Sequence, residues 1–143
     1  ARIDAGLECC LYMGNLDSKR DWGHAKDYVE VMWKILQHKK PDDFVVATNN
    51  TYTVKQLVNE AFKNINIKIR WSGKGINEKG FNNKTNEVLV KINKRYFRPN
   101  ELNYLRGNYN KAKTLLKWKP KTSFKNLVKE MVEEDIKKLK NGN

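Results

Sequence analysis

The sequence predicts an α/β fold, and three observations carry that prediction. Short apolar runs, Leu11–Met13, Phe44–Ala47 and Val88–Ile92, are bounded by turn residues and read as strands. Longer stretches repeat apolar residues at helical spacing: Ala25, Tyr28, Val29, Met32 and Leu36, then Val54, Leu57, Val58, Ala61, Phe62 and Ile65. The two kinds of segment alternate along the chain, which is the pattern of an α/β protein, although the strands are too few for a complete doubly wound sheet.

Taken in order, Ala1 to Leu7 reads as the end of a helix, with Ile3 and Leu7 four apart. Leu11–Met13 is a strand, and Gly14, Asn15, Asp17 and Ser18 supply turn chemistry after it. A helix follows to about Lys40, with Lys39 and Lys40 at the negative end of its dipole and Pro41 as its stop. Phe44–Ala47 is continuously apolar and suits a strand buried on both faces. Thr53 and Gln56 have capping-box spacing and open the next helix.

Ile67, Ile69 and Trp71 alternate with Lys68 and Arg70, so that segment is a half-exposed strand. Residues 72–86 read as a loop punctuated by Gly73, Gly75 and Gly80. Gly73-Lys74-Gly75 has the spacing of neither nucleotide-binding glycine fingerprint and reads as a turn. Val88–Ile92 is a strand and residues 94–101 a loop. Asn108 caps a short helix with Ala112, Leu115 and Leu116 inward, and Ser123 opens a last helix striped by Phe124, Leu127, Val128, Met131, Val132, Ile136 and Leu139.

Composition narrows the function. With 143 residues the chain suits one domain. Lys+Arg 29 against Asp+Glu 16 leaves a formal charge of +13, which favours anionic partners such as nucleic acid or phosphorylated small molecules. The lysines lie opposite the apolar stripes, as on any solvated helix, and no nucleic-acid-binding motif accompanies them, so nucleic acid is the less favoured partner. No run is apolar enough to span a membrane. Cys9 and Cys10 are adjacent, which disfavours a disulfide between them, and no metal-ligand spacing occurs, so two buried thiols in a reducing cytoplasm and no metal are expected.

Four side chains suit a phosphate-bearing ligand. Arg20 follows the first strand and its turn, a place where α/β proteins bind ligands, and a guanidinium grips phosphate oxygens bidentately at any working pH. A salt bridge to Asp17, Asp21 or Asp27 is an equal alternative. Asn15 can bond a phosphate or sugar, or simply make the turn. In Arg95-Tyr96-Phe97-Arg98-Pro99-Asn100-Glu101, Pro99 holds Arg98 extended. Arg98 can then meet a diphosphate while the Glu101 carboxylate accepts from two ribose hydroxyls. The alternative is a surface Arg–Glu pair, worth less than about 1 kcal/mol.

The run Gly14 to Glu30, Gly-Asn-Leu-Asp-x-Lys-Arg-Asp-Trp-Gly-His-Ala-Lys-Asp-Tyr-Val-Glu, resembles the GDP-mannose 4,6-dehydratases, which are extended short-chain dehydrogenases/reductases. The resemblance recurs, in order, at Ile69–Gly75, Arg95–Glu101, Lys111–Lys113 and Leu116–Phe124, and so covers nearly the whole chain. It departs at Asn108, where the family has Asp, and at Asn103, where an acid is common. It matches the C-terminal part of such an enzyme, and implies an edge of a Rossmann-type sheet plus a small α/β substrate-binding subdomain.

On that resemblance, residues 1–143 are mainly a substrate-binding segment whose NADP-binding Rossmann portion lies N-terminal to it. Asn15, Arg20, Arg98 and Glu101 would contact GDP-mannose, and no catalytic residue is expected here. Tyr109 and Lys113 have Tyr-x-x-x-Lys spacing but sit where the family is not catalytic. The full enzyme would convert GDP-mannose to GDP-4-keto-6-deoxymannose with bound NADP, as a cytoplasmic dimer or tetramer. Alternatives are a fragment of another nucleotide-sugar dehydratase or an epimerase, or a basic nucleic-acid-binding domain.

Overall fold

A computed structural model describes residues 1–98, 102 and 104–142. Its strands and helices, in chain order, are β1 (Leu11–Met13), β2 (Lys19–Arg20), α1 (Ala25–Leu36), β3 (Tyr52–Thr53), α2 (Val54–Lys63), β4 (Ile69–Ser72), β5 (Lys79–Asn82), β6 (Val88–Ile92), α3 (Asn110–Leu115) and α4 (Phe124–Lys140). The fold is mixed α/β with a partial sheet, as the sequence predicts. The chain divides into two compact units: Ala1–Ser18, Thr53–Asn103 and Val128–Asn143 form the first, and Lys19–Tyr52 with Tyr104–Leu127 the second.

The first unit is built on a four-stranded sheet of order β1-β6-β5-β4. β1 and β6 are parallel, with Leu11 opposite Val90 and Met13 opposite Ile92. β5 runs antiparallel to both β4 and β6. Val58 and Phe62 of α2 pack with Leu89 and Val90 of β6, and Ile67, Ile69 and Trp71 close around them. α2 begins as predicted: Gln56 N–H donates to Thr53 Oγ1 at 3.0 Å and Thr53 N–H to Gln56 Oε1 at 2.7 Å.

Residues 1–7 show the hydrogen bonding of a helix C-terminus. Leu7 N–H reaches the Arg2 carbonyl, Gly6 N–H the Ile3 carbonyl, and Gly6 takes φ +70, the left-handed geometry glycine adopts without strain. β5 is a strand where a loop is expected. Its residues show no apolar alternation, and cross-strand partners hold it: Arg70 faces Phe81, its guanidinium carbon 4.8 Å from the ring centroid. The thiols are free, but Cys9 is exposed and only Cys10 is buried. Burial pushes the Cys10 thiol pKa up.

The second unit packs around Val31, Ala112, Leu116 and Trp118, with Tyr28, Ile35, Phe44, Val46 and Tyr109 against them. The Trp118 indole N–H donates to the Asp27 carbonyl at 3.1 Å, and the Asp27 carboxylate accepts from the Lys121 and Thr122 N–H groups. α1 is capped by His24, whose Nδ1 accepts from Lys26 N–H at 3.0 Å. The helix stops at Leu36, short of Lys40, where Gln37 N–H closes its last turn on the Trp33 carbonyl.

Two further expectations fail in this unit. Phe44–Ala47 is extended but belongs to no ladder among the described residues, and Val45 is 54% exposed. Its close neighbour is Gly107, where an added Cβ would lie 2.2 Å from Ala47 Cβ; only glycine lets the two backbones approach so far. Leu115 of α3 points out, 47% exposed, while Ala112 and Leu116 are inward as expected. No helix among the described residues is long and apolar enough to cross a membrane.

Candidate functional site

Parallel pairing of β1 with β6 brings two loops to one edge of the sheet. The ladder continues past Met13, whose carbonyl accepts from Asn93 N–H at 2.9 Å. The turn Gly14–Ser18 and the turn Asn93–Phe97 therefore both leave the carboxyl ends of neighbouring parallel strands, the edge where α/β sheets bind ligands. Gly14 lies against the Tyr96 backbone; a Cβ there would come within 2.4 Å of the Tyr96 carbonyl oxygen. Asn15 and the segment ending in Arg98 are thus held side by side in the first unit.

Asn15 is half-buried, and its Oδ1 accepts from Asp17 N–H at 2.9 Å. The turn role and the ligand role are compatible: the oxygen closes the turn and the carboxamide NH2 is the donor a ligand would meet. Arg98 is exposed. Glu101 lies outside the described residues, as does Asn103. Arg20 belongs to the second unit, is half-buried, and donates from Nη1 to the Lys19 carbonyl at 2.9 Å. Of the carboxylates weighed as its partners, Asp21 accepts from Thr48 N–H and Oγ1–H, Asp27 from the Lys121 and Thr122 N–H groups, and Asp17 lies 3.5 Å from the Lys55 ammonium.

The Asn15 turn is anchored from below by the first turn of α2. Val54 N–H donates to the Ser18 carbonyl at 3.1 Å and Lys55 N–H to the Leu16 carbonyl at 2.9 Å. These are two of the four N–H groups that a helix leaves without internal partners, so turn and helix satisfy each other. Lys55 extends the contact through its ammonium, 3.5 Å from Asp17 and 2.7 Å from Glu78. Sequence reading passed over Lys55. The available signal was a cation in the first turn of a helix, where the dipole disfavours it.

Other candidates are weaker. Gly73 (φ +86) and Gly75 (φ +55) form the turn expected of them; Asn77 N–H bonds the Lys74 carbonyl and Glu78 N–H the Gly75 carbonyl, so these amides are spent within the loop. A cavity of about 530 Å³ is lined by Asn59, Lys63, Asn66, Ile67, Lys68 and Ile69. β4 runs parallel to β6 through the antiparallel β5, so this cavity, before β4, sits at the opposite edge from Asn15. In the second unit a polar hollow of about 300 Å³ is lined by Trp22, Thr48, Tyr52, Tyr109, Lys121 and Phe124, with Tyr52 and Phe124 stacked at 3.9 Å. Among the described residues no cluster of three His, Cys, Asp or Glu could hold a metal ion.

A family model described as GDP-mannose 4,6 dehydratase matches residues 1–131. A GDP-mannose 4,6 dehydratase of Dictyostelium discoideum is 53% identical over 145 residues, covering 99% of this chain and 41% of its own length. One from Drosophila melanogaster is 50% identical over 128 residues, covering 90% of this chain and 32% of its own length. Among solved structures, RMD from Pseudomonas aeruginosa complexed with NADPH superposes with a TM-score of 0.72 at 16% identity, over 93% of this chain and 38% of that one. That last likeness speaks for the fold. The chain spans about two fifths of the first of these relatives, 41%. By the family match over residues 1–131, this chain belongs to the GDP-mannose 4,6-dehydratase family.

Proposed function

We propose that this chain is the GDP-sugar-holding part of a GDP-mannose 4,6-dehydratase, the enzyme that converts GDP-mannose to GDP-4-keto-6-deoxymannose. The family match over residues 1–131 carries the reading. Residues 1–143 act as a substrate-binding segment and NADP is the cofactor of the whole enzyme. The chain lacks a G-x-G-x-x-G loop. Its Gly73-Lys74-Gly75 turn has the spacing of neither nucleotide-binding fingerprint, so these residues do not fit a dinucleotide and no step through the cofactor falls to them.

What the chain supplies is grip and orientation. Arg20 and Arg98 present guanidinium forks to the diphosphate, Glu101 accepts from the ribose hydroxyls, and Asn15 donates from its carboxamide. Binding energy from the nucleotide then fixes the sugar for chemistry performed elsewhere in the enzyme. The whole enzyme is cytoplasmic and works as a homo-oligomer.

Thermal melts of the chain with added nucleotides test this. GDP and GDP-mannose are expected to raise the melting temperature. A ligand at about 100 times its Kd adds about 2.7 kcal/mol. UDP and dTDP should do far less. Arg20→Ala and Arg98→Ala should each remove most of the GDP effect. Equal stabilisation by UDP would assign the chain to another nucleotide-sugar enzyme. Steeply salt-dependent binding to RNA or DNA, with no GDP effect, would overturn the reading.

A further inference from the structure

We propose that Lys55 is a positioning residue of the nucleotide-sugar site, clamping the Asn15 turn to the body of the first unit. The inference rests on the reading that Asn15 meets the GDP-sugar.

Three observations converge on this side chain. Lys55 occupies the second helical position of α2, where no acidic residue offsets its charge in the first turn. A cation there works against the helix dipole, and that local disadvantage calls for a compensating role. The compensation is visible. The ammonium is 2.7 Å from Glu78, itself buried at 8% exposure, and 3.5 Å from Asp17 in the turn. It also lies 5.5 Å from the Trp71 ring centroid. One cation therefore joins the turn that carries Asn15, the segment entering β5, and β4.

Glu78 makes the arrangement directional. A buried carboxylate without a cation is costly, so Lys55 stays beside Glu78 and Asp17 is drawn to it. Asp17 in turn gives its N–H to Asn15 Oδ1, which fixes the rotamer of the Asn15 carboxamide. The clamp also neutralises a carboxylate close to where a diphosphate would sit. Burial works against the charge on Lys55, but the bond to Glu78, its charge and that of Asp17 outweigh it, so the Lys55 pKa lies above the ordinary lysine value. The Lys55 ammonium is therefore charged throughout the neutral range.

The test compares wild type, Lys55→Met and Lys55→Arg by calorimetric titration with GDP, alongside hydrogen exchange. Lys55→Met is expected to weaken GDP binding about tenfold and to speed amide exchange at Leu16 and Asp17, while amides at Val58 and Phe62 keep their protection. Lys55→Arg, which keeps the cation, should bind GDP within about twofold of wild type. The ratio between wild type and Lys55→Met should stay flat from about pH 6 to 9, because a raised pKa leaves the contribution intact below the ordinary lysine value and loses it only above. Unchanged GDP binding in Lys55→Met, or tenfold weakening in Lys55→Arg, would overturn the proposal. A folded wild-type chain that ignores GDP would instead overturn the nucleotide-sugar reading beneath it.

Discussion

Helix α1 carries more apolar side chain than α2, yet only α2 keeps its apolar face within the chain. In α2, Val58 is 4% and Phe62 6% exposed, sealed by the sheet of the first unit. In α1 the apolar residues divide into two faces. Tyr28, Val31 and Ile35 meet Trp118 and Leu116. Val29, Met32, Trp33 and Leu36 face water, with Leu36 80% exposed. Their spacing, i, i+3, i+4 and i+7, is that of a stripe designed for contact. A helix with one apolar stripe needs one neighbour. A helix with two needs two, and the described chain supplies α1 with one.

The comparison breaks or holds most clearly on a pair of tryptophans in the same unit. Trp118 is 1% exposed and its N–H is bonded; Trp33 is 62% exposed. Trp118→Ala is expected to lower unfolding free energy by about 3–5 kcal/mol, through lost packing and the cavity left behind. Trp33→Ala should stay within about 0.5 kcal/mol of wild type. Urea denaturation followed by far-UV circular dichroism reads both. Equal losses would mean that the outer stripe of α1 is packed after all.

The same contrast explains what the sequence could and could not show. α2 was legible throughout: its capping box, its stripe and its sheet all belong to one unit, so local pattern and tertiary packing agree. α1 was legible as a helix but not in its orientation. Periodicity finds the apolar positions Val29, Met32 and Leu36 without saying what covers them. Phe44–Ala47 shows the same limit. Its apolar run reads as a buried strand, yet a strand exists only beside another, and here the close backbone neighbour at Ala47 is the unladdered Gly107.

β5 is the reverse case, a segment without apolar alternation made a strand by its neighbours. Of the site, the turn at Gly14–Ser18 was readable from its residues, and the resemblance to the dehydratases pointed to Arg20, Arg98 and Glu101. The juxtaposition of Asn15 with the Asn93–Phe97 turn needed the β1–β6 pairing, a contact between residues far apart in sequence. Lys55 escaped because a lone lysine on a helix usually signals only solvent.

Two further substitutions sharpen the contrast between local and long-range support. Asp27, 5% exposed, holds the Lys121 and Thr122 N–H groups across the second unit. Asp27→Ala should cost about 1–3 kcal/mol, since two donors lose their acceptor, and should speed amide exchange at Lys121 and Thr122. Thr53→Ala removes one half of a purely local capping box in the first unit. The expected loss is about 1 kcal/mol, measured by the same denaturation, with the core of β6 unaffected. A Thr53 effect larger than that of Asp27 would reverse the ranking of long-range over local support.

The smallest effect on stability is expected from the outer stripe itself, together with a large effect on solution behaviour. Replacing Met32, Trp33 and Leu36 with Gln removes a contiguous apolar patch while leaving Val31 and Ile35 on the core face. Stability should move by no more than about 0.5 kcal/mol for each exposed position. Exposed apolar patches drive association, so the wild-type chain should sediment with a concentration-dependent component and enhance the fluorescence of a hydrophobic dye. The triple variant should do neither, and should still gain stability from GDP, because the three substitutions leave Asn15, Arg20 and Arg98 in place. Loss of cooperative unfolding in the variant would place the stripe inside the chain's own core, and would leave α1 and α2 alike rather than opposed.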